Sequence, residues 1–449
     1  MNDPTEAVVQ AQTDTSQAQF VAWLRDVAPY VHAHRGRTFV IGFGGELIES
    51  GRLDALVHDL SLLQALGIRL VLVHGSRPQV QAQLQLRKLQ AAFAKGMRIT
   101  DRAALECVKE AAGGIRLGIE AAFSQGLPNT PMANSQIRVA SGNFVVAQPV
   151  GILDGVDFQH TGLVRKIDVE AIRATLANDS LVLLSPLGFS PTGEAFNLMM
   201  QDVACSAAVA LKADKLVLIG EADGARDRRG NLCTELSPEE AERLIQDGAV
   251  GQAAGVDLAY LVRACRGGVA RTHLIPMLLD GGLLLELFTH GGVGTMVATG
   301  DLESLREAGA DDVGSVLQLI EPLEADGTLV KRPRELIERE ISHFSVLEHD
   351  GVIFGCAALY PFREAGMGEM ACLTVHPKHR ESGDGERLLR RIEARARAAG
   401  LTRLFVLTTR TAHWFLKRGF TMAAVEDLPV ERQQLYNWQR RSQILIKTI

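Results

Sequence analysis

The run Glu369-Met370-Ala371-Cys372-Leu373-Thr374-Val375 has strand character, and through His376-Pro377 it leads into Arg380-Glu381-Ser382-Gly383-Asp384-Gly385-Glu386. An Arg-x-x-Gly-x-Gly segment between a strand and a helix turns successive backbone N–H groups toward one point. The first helical turn adds partial positive charge, and together these hold an anion such as a phosphate. The helix is expected over Glu386–Ala399, where Leu388, Leu389, Ile392, Ala396 and Ala399 recur at helical spacing. An ordinary turn is the alternative that a lone Gly-x-Gly allows. Two further glycine loops stand near the start of the chain. One is Gly44-Gly45 after the apolar run ending at Phe43, and the other is Gly75-Ser76 after Leu72-Val73-His74. Glycines at strand ends let backbone approach a phosphate or carboxylate, and a purely structural turn fits the same residues.

Positioning those loops requires two different architectures. Between residues 19 and 300, short apolar runs alternate with helical patterns. Strands are expected at Phe39–Phe43, Arg69–Val73, Leu181–Leu184, Lys215–Ile219 and His273–Ile275, with helices such as Arg52–Leu66 and Glu239–Asp247 between them. Phe20, Trp23, Leu24 and Val27 add a helix over Gln19–His34. This alternation predicts an α/β domain with a mainly parallel sheet. Residues 1–18 read as a disordered polar tail, and the charged, Gly/Ala-rich segment 301–312 reads as a linker. From 313 to 449 come helix Val313–Ala325, the basic corner Lys331–Arg334 and the hairpin Phe344–Leu347/Val352–Tyr360. Strand Glu369–Val375, the long helix, strand Arg403–Thr408 and strand Gln443–Lys447 complete an α+β module of single-domain size.

Composition excludes several classes. The 449 residues are 47% hydrophobic and 22% charged, which is ordinary for globular chains. No apolar run approaches the ~20 residues of a membrane span, and no secretory or transit pattern is expected at the start. Six cysteines without a CxxC pair predict reduced thiols in a cytoplasm, and no His/Cys/Asp spacing calls for a metal. A net charge of −6 argues against general nucleic-acid binding. The charge divides into +8 from His376 onward and −14 before it. A local anionic ligand fits that basic end, as does a solvated arginine-rich helix face.

The order hairpin, strand, Arg-x-x-Gly-x-Gly, helix, strand, helix, strand, closed by His413-Trp414-Phe415-Leu416-Lys417-Arg418-Gly419-Phe420, resembles the GCN5-related N-acetyltransferases. The resemblance implies acetyl-coenzyme A as co-substrate and no other cofactor. It would be cradled by Leu373, Thr374, Val375, Arg380, Glu381, Ser382, Gly383, Asp384, Gly385 and Glu386, beside a strand that splays open. Many members carry a tyrosine general acid where this chain has Phe415.

Residues 19–300 resemble the amino-acid kinase fold, acetylglutamate kinase above all, through Gly96-Met97-Arg98-Ile99-Thr100-Asp101, Phe196-Asn197 and Leu285–Met296. That family has a lysine where Gly42 stands, and a second lysine is expected after Asp247-Gly248, where Gly248–Val262 contains none. Phosphoryl transfer depends on electrostatic stabilisation, so the loss of both cations implies a domain kept for binding. By resemblance to arginine-sensitive kinases, L-arginine would meet Tyr30, Lys215, His273, Glu286, Gly292 and Val293. A guanidinium wants a carboxylate and carbonyls around it, which Glu286 and the glycine-rich backbone supply.

The combination, with Phe405–Trp414 and Leu435–Ser442, resembles the N-acetylglutamate synthases in their bacterial single-chain form. That implies acetyl transfer from acetyl-coenzyme A to L-glutamate at the entry to arginine synthesis, feedback by arginine, and an oligomer, often a hexamer. Two substrate carboxylates want forked cations, and the resemblance selects Arg332 and Arg440, with Ser442 and the backbone around Cys372 completing the cradle. Glu369 is the candidate base, acting through water with Thr408 aiding the relay, and an N–H near Leu373 would polarise the thioester. Rival readings are a bifunctional synthase and kinase, an acetyltransferase for protein lysine or another small amine, and a non-catalytic arginine sensor.

Overall fold

The computed structural model describes residues 17, 19–21, 23–25, 27–289, 292–299, 303–349, 352–377 and 383–449. The expected tail, the turn at Asp350-Gly351 and the loop residues Arg380, Glu381 and Ser382 lie outside them. The chain divides into two compact units, Met1–Gly300 and Asp301–Ile449.

In the first unit the strands are nearly continuous apolar runs because both faces of the sheet are covered. Its eight strands lie in the order Glu235–Leu236, Thr295–Ala298, Arg271–Pro276, Lys215–Gly220, Thr38–Phe43, Arg69–His74, Ser180–Leu184 and Arg138–Ser141. Every pairing is parallel except that of Arg271–Pro276 with Thr295–Ala298. Alternation along Thr38–Phe43 sends Phe39, Ile41 and Phe43 to one core and Val40 to the other. Helices Leu53–Ala65, Arg102–Phe123 and Gly282–Phe288 cover the first core, and Met200–Leu211 and Gln252–Arg266 the second. Helical residues 27–34 pack Val27, Tyr30 and Val31 against the first. Residues 138–197 also supply a smaller sheet of Ala195–Asn197, Leu187–Phe189, Val145–Pro149 and Gly162–Ile167.

The second unit is a seven-stranded sheet in the order Glu303–Glu307, Phe344–His349, Val352–Phe362, Met367–Val375, Arg403–Thr408, Gln443–Thr448 and Thr421–Ala423. Helix Val313–Ala325 covers one face, and Asp384–Ala398 the other. The expected linker is corrected here, because Glu303–Glu307 is an edge strand paired antiparallel with Phe344–His349. Its charges suit an edge, where they discourage further pairing. Arg306 binds both Asp312 and Glu348, tying the strand into the unit.

Candidate functional site

Strands Met367–Val375 and Arg403–Thr408 form the sheet's one parallel pair among the described residues, and their ladder covers only Met367↔Arg403, Gly368↔Leu404 and Glu369↔Phe405. Beyond Glu369 the two strands part, leaving a gap that opens toward the Asp384–Ala398 helix. On its other edge Met367–Val375 follows Val352–Phe362 through a β-bulge between Cys356 and Ala358. Cys372 is the extra residue, with φ 53°. The bulge breaks the alternation. Ala371 and Cys372 both pack on the Val313–Ala325 side of the sheet, and Leu373 passes to the opposite face. A bulge here bends the strand and re-aims its side chains, as bulges beside reactive centres do.

The helix following the gap begins at Gly383, φ 88°, which supplies no side-chain cap. The partial positive charge of that helix start suits an anion. Gly385 has a second reason to be glycine: a Cβ there would stand 3.2 Å from the Trp414 ring. Trp414 in turn lies 3.9 Å beneath the Arg418 guanidinium, which also pairs with Glu386. Phe415 is buried between Trp414 and Phe420, so the position of the family's tyrosine is apolar core.

On the opposite face of the sheet Glu369 is 8% exposed and locked to Arg432, Nε to Oε2 at 2.7 Å and Nη2 to Oε1 at 3.1 Å. Arg432 comes from the short helix Val430–Gln434 and is a residue the sequence reading missed. The fork fixes the carboxylate's plane and leaves one lone pair on each oxygen for a water. Tyr360 is the direct cross-strand neighbour of Glu369.

Arg332 and Arg440 meet at the same place. The Arg332 Nη1 donates to the Val330 carbonyl at 3.2 Å and Arg440 Nη2 donates to that of Thr328, so one short stretch orients both. No carboxylate among the described residues pairs with either guanidinium. Burial lowers the Arg440 pKa, and the Arg332 charge lowers it further. Burial also opposes the charge on Arg332, but the surrounding Cys372, Tyr360, Glu369 and Glu324 outweigh it and raise its pKa. Two partly buried, mutually repelling cations, neither held in an ion pair among the described residues, are a receptor for an anion with two charges. Ser442 is buried beside them in sequence, its carbonyl accepting the Tyr436 hydroxyl at 2.7 Å. Cys372 is buried and its thiol is pushed up to about 11, which makes it packing and not a nucleophile.

Alternation places Thr408 on the face of Leu404 and Val406, opposite Phe405, whose ladder partner is Glu369. Its Oγ1 accepts N–H groups from Arg410 at 3.3 Å and Thr411 at 3.0 Å and contacts Thr411 Oγ1 at 2.8 Å, which secures the turn after the strand.

In the first unit the structure brings together five of the six residues expected to meet an arginine. His273 Nδ1 lies 2.7 Å from Glu286 Oε1, and Oε2 accepts the N–H groups of Val293 at 2.7 Å and Gly294 at 3.1 Å. Gly292 has φ 55°, and a Cβ there would fall 2.6 Å from Glu286 Oε2. Lys215 is 4% exposed beside them, its pKa brought down to about 7 by burial and by Arg271. Burial likewise lowers the His273 pKa, against the pull of Glu286. Tyr30 stands one helical turn before His34, whose Nε2 contacts the Leu287 carbonyl at 3.0 Å.

The former phosphoryl-transfer centre is shut. A Cβ on Gly42 would stand 2.7 Å from Leu218 and 2.9 Å from Met200, so apolar packing fills the lysine's place. Helix Gln252–Arg266 presents Asp257, whose pKa rises to about 6 through burial, with the Glu46 and Glu221 charges adding to it.

A doubly covered parallel sheet without its catalytic cations, and a sheet whose paired strands open beside an uncapped helix, define an acyltransferase joined to a kinase-like fold. Residues 37–275 match the amino acid kinase family and residues 315–420 the acetyltransferase (GNAT) family. An amino-acid acetyltransferase from Ralstonia nicotianae is 64% identical over 433 residues, 96% of each chain. The crystal structure of N-acetylglutamate synthase from Neisseria gonorrhoeae complexed with coenzyme A and L-arginine is 40% identical and covers 96% of this chain and 99% of its own, with TM-score 0.84. The same enzyme complexed with coenzyme A and N-acetyl-glutamate gives 0.61 at the same identity and coverage. The chain belongs to the amino-acid acetyltransferase family, that of the bacterial N-acetylglutamate synthases.

Proposed function

We propose that the enzyme transfers the acetyl group of acetyl-coenzyme A to the α-amino group of L-glutamate, the first step of arginine synthesis in the cytoplasm, and that L-arginine inhibits it through the first unit. The observation that carries the acceptor is the Arg332–Arg440 pair: two neighbouring guanidiniums that no carboxylate pairs among the described residues suit a dicarboxylate and would repel a lysine side chain. The neighbouring enzyme's complexes with coenzyme A, N-acetyl-glutamate and L-arginine support the same assignment.

In this reading the coenzyme lies along Leu373, Thr374 and Val375, its pyrophosphate at the helix start beyond Gly383. A backbone N–H near Leu373 polarises the thioester carbonyl. The ammonium of glutamate passes a proton through a water to Glu369, the free amine attacks the carbonyl carbon, and as the tetrahedral adduct collapses the C–S bond breaks and the nitrogen's second proton passes to the departing thiolate or to solvent. The departing thiolate has an ordinary pKa near ~8.5 and needs no protein acid, in keeping with the apolar setting of Phe415. Arginine, with its guanidinium on Glu286 and the backbone at Gly292 and Val293, would bias the first unit. Thiol release measured across L-amino acids and a lysine peptide tests the acceptor. L-Glutamate should exceed every other acceptor by at least tenfold in kcat/KM; a lysine peptide that matches it would support the protein-lysine reading.

A further inference from the structure

Tyr360 presents a buried hydroxyl with no hydrogen-bond partner among the described residues. It sits on Val352–Phe362 directly opposite Glu369, and its ring packs edge-on to His343 with centroids 5.0 Å apart. Alternation puts Tyr360 on the Val313–Ala325 face of the sheet, the face that also carries Cys372. Phenylalanine would supply the same packing without the cost of an unpaired polar atom, which is typically severe enough that native interiors avoid it. The Glu369 carboxylate, held in its planar fork with Arg432, makes no hydrogen bond to the hydroxyl. Burial raises the phenol's pKa, so it remains a neutral donor. The charged groups around it are Arg332, Glu340 and Glu369, and Arg332 makes no ion pair among the described residues.

We infer that Tyr360 is a substrate-recognition residue, its hydroxyl donating a hydrogen bond to one carboxylate of the acceptor amino acid while Arg332 neutralises that carboxylate's charge. The inference rests on the glutamate reading above. It adds a geometric filter to the electrostatic one. A guanidinium alone accepts any nearby anion, whereas a guanidinium and a fixed hydroxyl require a carboxylate at one distance and orientation.

The test is Tyr360→Phe in the full chain, with thiol release followed against L-glutamate at saturating acetyl-coenzyme A. KM for glutamate should rise about tenfold or more, the value of a hydrogen bond to a charged group, while turnover at saturating glutamate stays within threefold and KM for acetyl-coenzyme A is unmoved. The variant should melt at or above the parent temperature, since an unpaired buried hydroxyl has been removed. An unchanged KM for glutamate would overturn the inference, as would a fall in turnover alone, which would move the hydroxyl into the chemistry. A parent enzyme that ignores glutamate would instead defeat the functional reading itself, and the two failures are separable in one experiment.

Discussion

Arg332 and Arg440 make no ion pair among the described residues, whereas Glu369 is forked by Arg432. The contrast predicts different kinetic lesions. Arg440→Ala removes a clamp present in both ground and transition states, so KM for glutamate should rise at least tenfold with turnover held within threefold. Glu369→Gln removes the basic oxygen and should lower turnover ~10²–10⁴-fold at saturating substrates. It also strands Arg432 in a buried setting. The double variant Glu369→Gln, Arg432→Gln leaves no orphaned charge; if it is as slow as the single variant, the loss belongs to the chemistry, and recovery to parental turnover would remove Glu369 from it. Sequence placed Glu369, Arg332, Cys372 and Arg440 in one site but not Arg432 or Tyr360. Arg432 lies 63 residues from its partner on a five-residue helix, and no local pattern connects the two.

At the scale of elements, the bulge at Cys372 does the positioning. It ends regular alternation just where Met367–Val375 leaves Arg403–Thr408, so the acceptor-facing and coenzyme-facing residues come from one strand. A left-handed φ suits glycine or a flexible small residue and is costly for a β-branched one. Cys372→Val should therefore lose about 1–3 kcal/mol in urea unfolding, measured as a lowered midpoint; an unchanged midpoint would mean the bulge relaxes freely. The strand Met367–Val375 and the helix Asp384–Ala398 were legible because each has its own periodicity. The bulge was not, since one extra residue in nine leaves a sequence that still reads as a strand. Glu303–Glu307 was read as a linker for a related reason: a charged edge strand has one apolar residue, Leu305, and no alternation to recognise.

Across the whole molecule, a kinase-like unit has kept its sheet and replaced its phosphoryl-transfer centre with apolar packing at Gly42 and carboxylates around Asp257. Folding raises the Asp257 pKa from 3.8 to about 6, so the folded state favours the proton, and the residue's contribution to stability is lost as pH climbs through that window. Asp257→Asn should accordingly stabilise the protein by about 2 kcal/mol at pH 7.5 and by much less at pH 4.5, read by denaturant titration at both. Glu286 has the opposite character, its carboxyl held below the usual range: burial opposes this, but the His273 contact and the Val293 and Gly294 N–H groups outweigh it. Glu286→Gln keeps one oxygen to accept the Val293 and Gly294 N–H groups and places an NH2 donor toward His273 Nδ1, while deleting the charge a guanidinium would pair with. The arginine concentration for half-inhibition should rise at least tenfold with uninhibited turnover intact; unchanged sensitivity would place the effector elsewhere. The claim on which both units depend is acetyl transfer to glutamate, and the most direct measurement supplies the purified chain with ¹³C-acetyl-coenzyme A and L-glutamate and locates the label by NMR. The label should appear on the α-nitrogen as N-acetyl-L-glutamate, with thiol release matching it mole for mole and declining as arginine is added. Thiol release that glutamate does not accelerate above the water blank would contradict the account.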